Sequence, residues 1–380
     1  MIAIATSTRA DWGLLTPLAA TLVANGTEIR ILASNMHLMP EMGMTVEEIE
    51  AAGYAPVRLA TAGADPTATF ANTAQAYGRW FADHHPRCVV ILGDRYEMLA
   101  VASAALLNAV PVVHIAGGTV SEGAIDNAVR NAITQLSSLH LAETELCARR
   151  LLAMGVAEDR VVVTGALGVW NALNVPLLTA DQLWESLGKR LPDKFFVATL
   201  HAATLADASP SRQMEEFLAG LDSFFAEHED FGVILTYPNN DTDPAPLIAR
   251  LKDFAALHEA RTVLVPSLGM RRYLSAVNLS QGVVGNSSSG VVEVASLGVP
   301  TLDIGIRQQG RERAASVLHS GWTRSDILEG LRRITSPEAR AVAATRSNPY
   351  ARPDTPQLMA AAINSTFNLP HPALCIKHST

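Results

Sequence analysis

The chain has 380 residues, 48% of them hydrophobic and 17% charged, with a formal net charge of −8. At roughly 150 residues per domain, that length makes two domains, or three, with ample material for large cores. The negative balance argues against non-specific nucleic-acid binding, which needs basic surface, but leaves room for a phosphorylated small ligand held by a few local cations.

The start, "MIAIATSTRADWGLL", has no basic segment, long apolar stretch or cleavage site of the kind a signal peptide carries, and it reads as a short strand followed by a loop. No apolar run reaches the ~20 residues needed to span a bilayer. Cys88, Cys147 and Cys375 are scattered, with no metal or disulfide spacing. That pattern suits a reducing compartment, so a cytoplasmic protein without membrane or metal partners is expected.

Strands are expected at Ile2–Thr6, Glu28–Ala33, Cys88–Leu92, Pro111–Ile115, Leu139–Ala142 and Val161–Thr164, alternating with helical patterns such as Leu14–Asn25, Tyr96–Leu107 and Ile125–Leu136. Such alternation means parallel strands joined by crossover helices. The runs are almost wholly apolar, as befits a sheet covered on both faces. A polar, proline-bearing stretch comes next, and a hinge is placed near residues 168–176. Strands then recur at Phe195–Thr199, Gly232–Thr236, Thr262–Val265, Gly282–Val284 and Thr301–Ile304, and the tail breaks at Pro349 and Pro353 before one more helix. The expectation is two doubly wound α/β domains, 1–170 and 176–352, facing across a cleft, with ligands beyond the carboxyl ends of the strands. No GxGxxG follows a predicted strand, so no dinucleotide cofactor is indicated.

Charge gathers where those strands end. "TSTRADWG" places Arg9 and Asp11 after the first strand, and "LGDRYEM" places Asp94, Arg95 and Glu97 after another. "PVVHIAGGTVSEGAIDNAVR" runs from a core strand through Gly117 and Gly118 into Glu122, Asp126 and Arg130, four apart on one helical stripe. Each acid alone could be a helix cap, Asp94 and Ser121 being of capping type. Asp126 and Arg130 alone could be a surface ion pair. Three such clusters on one edge favour a site, with the glycines admitting a sugar or phosphate to the backbone.

In "GVVGNSSSGVVEVASLGVP" a strand ends in a small polar loop and a helix begins near Ser288. Asn286, Ser287 and Ser288 are expected to hold an anion, phosphate above all, at that helix start. Glu293 is placed to accept from ribose hydroxyls, and Arg307 comes after the next strand. His201 in "ATLHAATL" and Asn239 with Asp241 in "TYPNNDTD" lie at further strand ends. Each has an ordinary structural reading beside the functional one. His84 and His85 are given no role.

Together "TRADWGLL", "GDRYEMLA", "HIAGG…EGAIDNAVRNAIT", "GNSSSGVVE" and "GVPTLDIGIRQQGR" resemble the hydrolysing UDP-N-acetylglucosamine 2-epimerases of bacterial sialic-acid-type sugar synthesis, in the right order from residue 1 to about residue 320. The resemblance implies two Rossmann-like domains in a GT-B-type arrangement, with the last helix, 355–370, returning to the first domain. It implies that UDP-N-acetylglucosamine and water give N-acetylmannosamine and UDP. The route it implies is C2 deprotonation, anti elimination of UDP and hydration of a glucal. It implies no nicotinamide or metal cofactor, and a homo-oligomer, dimer or tetramer.

By the same resemblance Asp94 and Asp126 are the acid/base carboxylates. The resemblance also implies that Arg95, Arg130, His201 and Asn239 touch substrate, with His201 counted among the catalytic groups, and that Ser287, Ser288, Glu293 and Arg307 touch UDP. Arg9, as a cation for the diphosphate, and Asn286, in the same loop as Ser287, are expected binding residues from the chain itself. Where family members read "HIEGGE" or "HIHGGE", this chain reads "HIAGGT", with Ala116 and Thr119. Glu122 is the nearest replacement for the missing acid and is expected to take its role. Asn131 and Gln135 stand where a histidine and a lysine are usual, and "HAAT" where "HPVT" is common. These departures surround the sugar, so the runner-up substrate is a 2,4-diacetamido-6-deoxy sugar on the route to legionaminic-type acids. A UDP-sugar glycosyltransferase, a non-hydrolysing epimerase and a non-catalytic UDP-sugar binder are the competing readings.

Overall fold

The computed structural model describes residues 1–121, 125–203, 208–238 and 244–367. Two compact units divide the described chain. The first takes residues 1–119, 125–170 and 352–367, and the second takes 120–121 and 171–351.

The first unit is built on seven parallel strands: β1 (Ile2–Thr6), β2 (Ile29–Ser34), β3 (Val57–Leu59), β4 (Val89–Leu92), β5 (Val112–Ile115), β6 (Leu139–Ala142) and β7 (Val161–Val163). They lie in the order β3-β2-β1-β4-β5-β6-β7. Alternation along each strand sends side chains to opposite faces. Ile2 and Ile4 thus enter one core with Leu15, Leu18 and Leu22, while Ala3 and Ala5 enter another with Tyr77, Phe81 and Met98. Both faces being covered, β1 and β4 have almost no polar position. The last helix among the described residues, Thr355–Phe367, belongs to this unit and packs Met359, Ile363 and Phe367 into the first of these cores.

The second unit repeats the plan with β8 (Lys194–Thr199), β9 (Phe231–Thr236), β10 (Thr262–Val265), β11 (Gly282–Gly285), β12 (Thr301–Ile304) and β13 (Val317–Ser320). Their order is β10-β9-β8-β11-β12-β13. Phe196 and Ala198 point into one core, Phe195 and Val197 into the other. In each unit the strand order reverses beside the first strand, between β1 and β4 and between β8 and β11. The carboxyl ends at such a reversal form the ligand crevice of doubly wound sheets.

Three histidines lie buried among the described residues of the first unit. His114 Nε2 meets the Gly93 carbonyl at 2.8 Å, and its Nδ1 meets the Thr134 hydroxyl at 3.3 Å. A carbonyl only accepts, so Nε2 carries the proton, and the Thr134 hydroxyl can donate to Nδ1 when the ring is neutral. Burial drives the ring of His114 down to about 4, that of His37 to about 4, and that of His140, with His114 as a second cause, to about 3. These folded values lie below the unfolded one near 6.5, so the unfolded chain takes up protons first. The stability they contribute is complete above pH 6.5 and is lost as pH falls toward 4, at about 1.4 kcal/mol per unit for each ring. Asp11, raised by burial against the pull of Arg95, works the other way, one carboxyl against three rings. Thermal midpoints measured by circular dichroism should therefore fall steeply from pH 6.5 to 4.5. A flat profile there would contradict the buried neutral rings.

Candidate active site

The residues just past β1 and β4 line the strand-order reversal in the first unit. Thr8 caps the helix Arg9–Ala24, accepting from the Asp11 amide at 3.2 Å, and Ser7 donates to the Asp11 carboxylate at 3.1 Å. Arg9 is exposed at the start of that helix and lies 3.8 Å from Glu48. After β4, Gly93 turns the chain in the left-handed region, φ +79°, and leads into Asp94 and Arg95. Arg95 donates to the fully buried Glu97 at 3.0 Å, and Asn35 donates to the same Glu97 oxygen.

Asp94 does not cap the next helix, Tyr96–Leu107, whose cap position is Arg95. Its carboxylate is instead ion-paired to Arg130. Arg130 is no surface residue: it is 2% exposed, and it also donates to the Thr119 carbonyl at 2.7 Å and to Asn127 at 3.1 Å. The exposed-pair reading of Asp126 and Arg130 therefore fails. A guanidinium this deeply enclosed requires a carboxylate partner, and Asp94, 36 residues away, supplies it. Ser121 is likewise no cap, because the helix Asp126–Leu136 has Ile125 at its cap position, with Asp126 in its first turn.

The turn after β5 is made by Ala116, φ +66°, as well as by Gly118, φ +75°. A left-handed non-glycine residue costs roughly 1–2 kcal/mol, and such strain gathers at functional sites. Gly118 is required for a different reason, since a Cβ there would lie 3.0 Å from the Cys147 carbonyl carbon and closer still to its oxygen.

In the second unit, Asn286 and His201 lie at the reversal between β8 and β11. The His201 amide donates to Asn286 Oδ1 at 2.8 Å, and Asn286 Nδ2 donates back to the His201 carbonyl at 2.9 Å. The Asn286 carbonyl accepts from Arg307 at 3.2 Å and from Gln308 at 2.9 Å. Burial, then the charge of Arg307, pushes the His201 ring down to about 3, so it is a neutral donor or acceptor near neutral pH. Ser287 takes the cap position of the helix Ser288–Val292 without a side-chain capping bond, and Glu293 ends it. This helix has only five residues, so its macrodipole is small. Anion binding here would come from backbone amides, serine hydroxyls and Arg307 rather than from a long helix. Asp303, buried at the end of β12, is held by Arg313 at 2.7 Å, and neither residue stands out in the sequence as part of a site.

Asp94, Arg95, Asp126 and Arg130 thus fall at the carboxyl edge of the first sheet with Arg9, and His201, Asn286, Ser287, Ser288, Glu293 and Arg307 at that of the second. Glu122, Asn239 and Asp241 lie outside the described residues. Among the described residues there is no group of three or more histidine, cysteine or acidic side chains placed to hold a metal.

Two Rossmann-like units, one with acids and one with an Asn–His–Arg–Ser edge, are doubly wound sheets of the class that takes ligands at its carboxyl edges. Comparison with known proteins narrows it. Residues 21–364 match the family described as UDP-N-acetylglucosamine 2-epimerase, and the chain belongs to that family. It is 32% identical to the "GDP/UDP-N,N'-diacetylbacillosamine 2-epimerase (hydrolyzing)" of Campylobacter jejuni, over 89% of this chain and 88% of that one. It is 30% identical to the UDP-N-acetylglucosamine 2-epimerase of Neisseria meningitidis, over 87% and 86%. The crystal structure described as that of a "putative UDP-N-acetylglucosamine 2-epimerase from Listeria monocytogenes" superimposes with a TM-score of 0.83 at 18% identity, covering 96% of both chains. The chain is an enzyme of this general 2-epimerase type. No helix among the described residues is long and apolar enough to cross a membrane.

Proposed function

We propose that the protein is a hydrolysing 2-epimerase of a UDP-linked 2-acetamido sugar, releasing UDP and the free C2 epimer. The observation that carries this reading is the division of labour between the sheet edges. A carboxylate, Asp94, paired to the buried Arg130 ends the first sheet, and a cationic, hydroxyl-rich loop ends the second. The C2 hydrogen of such a sugar is not next to a carbonyl, so it is not acidic by itself. Its removal has to be coupled to departure of a good leaving group at C1. Arg9, Arg307 and the 286–288 loop hold the diphosphate as its charge develops. Asp94 and Asp126 move protons at C2 and at the incoming water, Arg95, Arg130, His201 and Asn239 position the sugar, and Glu293 takes the ribose. Such chemistry needs no nicotinamide and no metal. The enzyme works in the cytoplasm as a homo-oligomer.

Between the two sugars, the similarity to the diacetylbacillosamine enzyme favours UDP-2,4-diacetamido-2,4,6-trideoxyglucose over UDP-N-acetylglucosamine. The changes at Ala116, Asn131 and Ala202–Ala203 fit a sugar altered away from C2, but Gln135 does not belong with them: it lies in the last turn of the helix Asp126–Leu136, at the opposite edge of the sheet, and donates to the Met154 carbonyl at 3.2 Å. Assayed side by side, the diacetamido sugar should show the larger kcat/KM, by about tenfold or more, the scale of one or more altered sugar contacts. Preference for UDP-N-acetylglucosamine would reverse the choice. Running the reaction in D₂O tests the chemistry: the released sugar should carry deuterium at C2. Retention of hydrogen there, with transfer to an acceptor, would indicate a glycosyltransferase instead.

A further inference from the structure

Glu143 attracts no attention in the sequence, yet it is the first residue beyond β6 and so leaves the sheet at the same carboxyl edge as the acids above. β6 pairs with β5 in parallel, Leu141 opposite Ile115, which sets Glu143 beside the turn 116–119. The Thr119 hydroxyl donates to Glu143 Oε2 at 3.1 Å. Thr119 is itself 4% exposed, and its carbonyl accepts from the same Arg130 that is ion-paired to Asp94. Asp94, Arg130, Thr119 and Glu143 therefore form one connected chain of polar contacts. Glu143 is half-buried, so it is fixed in place without being sealed off. Glu97, by contrast, is fully buried and engaged by Arg95 and Asn35, which leaves it a structural anchor.

We propose that Glu143 is a third proton-carrying carboxylate of the epimerisation, in the role expected from the sequence for Glu122. The assignment rests on the hydrolysing 2-epimerase reading. That reaction moves three protons. In elimination a carboxylate takes the C2 proton, the C–H pair becomes the C1=C2 bond, and the C1–O bond breaks with its electrons leaving on UDP. In hydration the water oxygen bonds C1, the water gives a proton to a carboxylate, and C2 receives a proton on the face opposite the first. Because configuration inverts, removal and return at C2 need carriers on different sides of the ring. Asp94 and Asp126 supply two carriers and Glu143 the third.

The test is Glu143→Gln, which keeps the shape and leaves an amide oxygen to accept from Thr119, so packing persists while proton transfer is lost. Turnover of the full-length enzyme should fall by about 10²-fold or more, with UDP affinity within about threefold of wild type, since no nucleotide contact is removed. Glu143→Ala should regain activity as formate is added, a response that a merely structural residue would not give. Glu122→Gln should lose less than about tenfold, below the usual worth of a positioned acid or base. With an active wild type, a Glu143→Gln enzyme above one tenth of its turnover, or a Glu143→Ala deficit indifferent to formate, overturns the assignment alone. A wild type that releases no UDP from either UDP-sugar overturns the parent reading, and this one with it.

Discussion

Replacing Asp94 by Asn should reduce UDP release by about 10²–10⁴-fold, the usual worth of a positioned acid or base, with nucleotide affinity nearly unchanged. The asparagine side chain has the same shape, and its oxygen can still accept from Arg130, so the turn after β4 stays in place. The charge alone disappears. Arg130 is 2% exposed and Asp94 25% exposed on its side chain, and the guanidinium keeps its bonds to the Thr119 carbonyl and to Asn127. Removing one partner of a buried ion pair costs about 3–5 kcal/mol when the site is dry, and less here because water reaches the Asp94 side. The variant should therefore melt at a lower temperature and still fold, which circular dichroism checks. Equilibrium UDP titration separates loss of chemistry from loss of binding. Turnover above one tenth of wild type in a folded Asp94→Asn protein would remove Asp94 from the mechanism.

That ion pair also marks where reading the sequence stops. Strands buried on both faces announce themselves as apolar runs, and β1, β6, β10 and β12 have the bounds the sequence suggests. The strands it omits, Val57–Leu59 and Val317–Ser320, are the outermost of their sheets. One exposes Arg58 and the other contains a half-polar His-Ser end, so neither carries the continuous apolar signal of an interior strand. Charge at strand ends is visible in the sequence because strand ends are. Pairing is not. Helical spacing suggests Asp126 for Arg130, whereas the neighbouring positions of β4 and β5 bring Asp94 to it. Glu143 is hidden for a related reason. In "LAETEL" it reads as one more acid before a helix, and only the parallel register of β5 and β6 shows it beside Thr119.

Gly285→Ala should be among the most destabilising single changes in the second unit, at about 2–6 kcal/mol, and should abolish UDP binding. Gly285 ends β11 with φ +135°, a region L-residues rarely occupy, and such strain alone costs about 1–3 kcal/mol. A Cβ would also sit 2.7 Å from the Thr199 carbonyl carbon and closer still to its oxygen. Thr199 is its partner in the β8–β11 ladder, so the obstacle is backbone and no side chain can swing aside. Overpacking of this kind adds about 1–3 kcal/mol. The strands would have to part, and the Asn286 amide, bonded to that same Thr199 oxygen at 3.2 Å, would part with them. The reciprocal bonds between Asn286 and His201, and the Arg307 and Gln308 bonds to the Asn286 carbonyl, all hang from this position. Gly305→Ala is the matched control: it has φ +72°, but nothing lies within 4 Å of its Cβ, so it should cost only the roughly 1–2 kcal/mol of left-handed strain. Urea unfolding and UDP titration of both variants read the difference. Equal stability in the two would mean that the β8–β11 contact has slack, and that the second sheet's edge does not depend on a glycine at its centre.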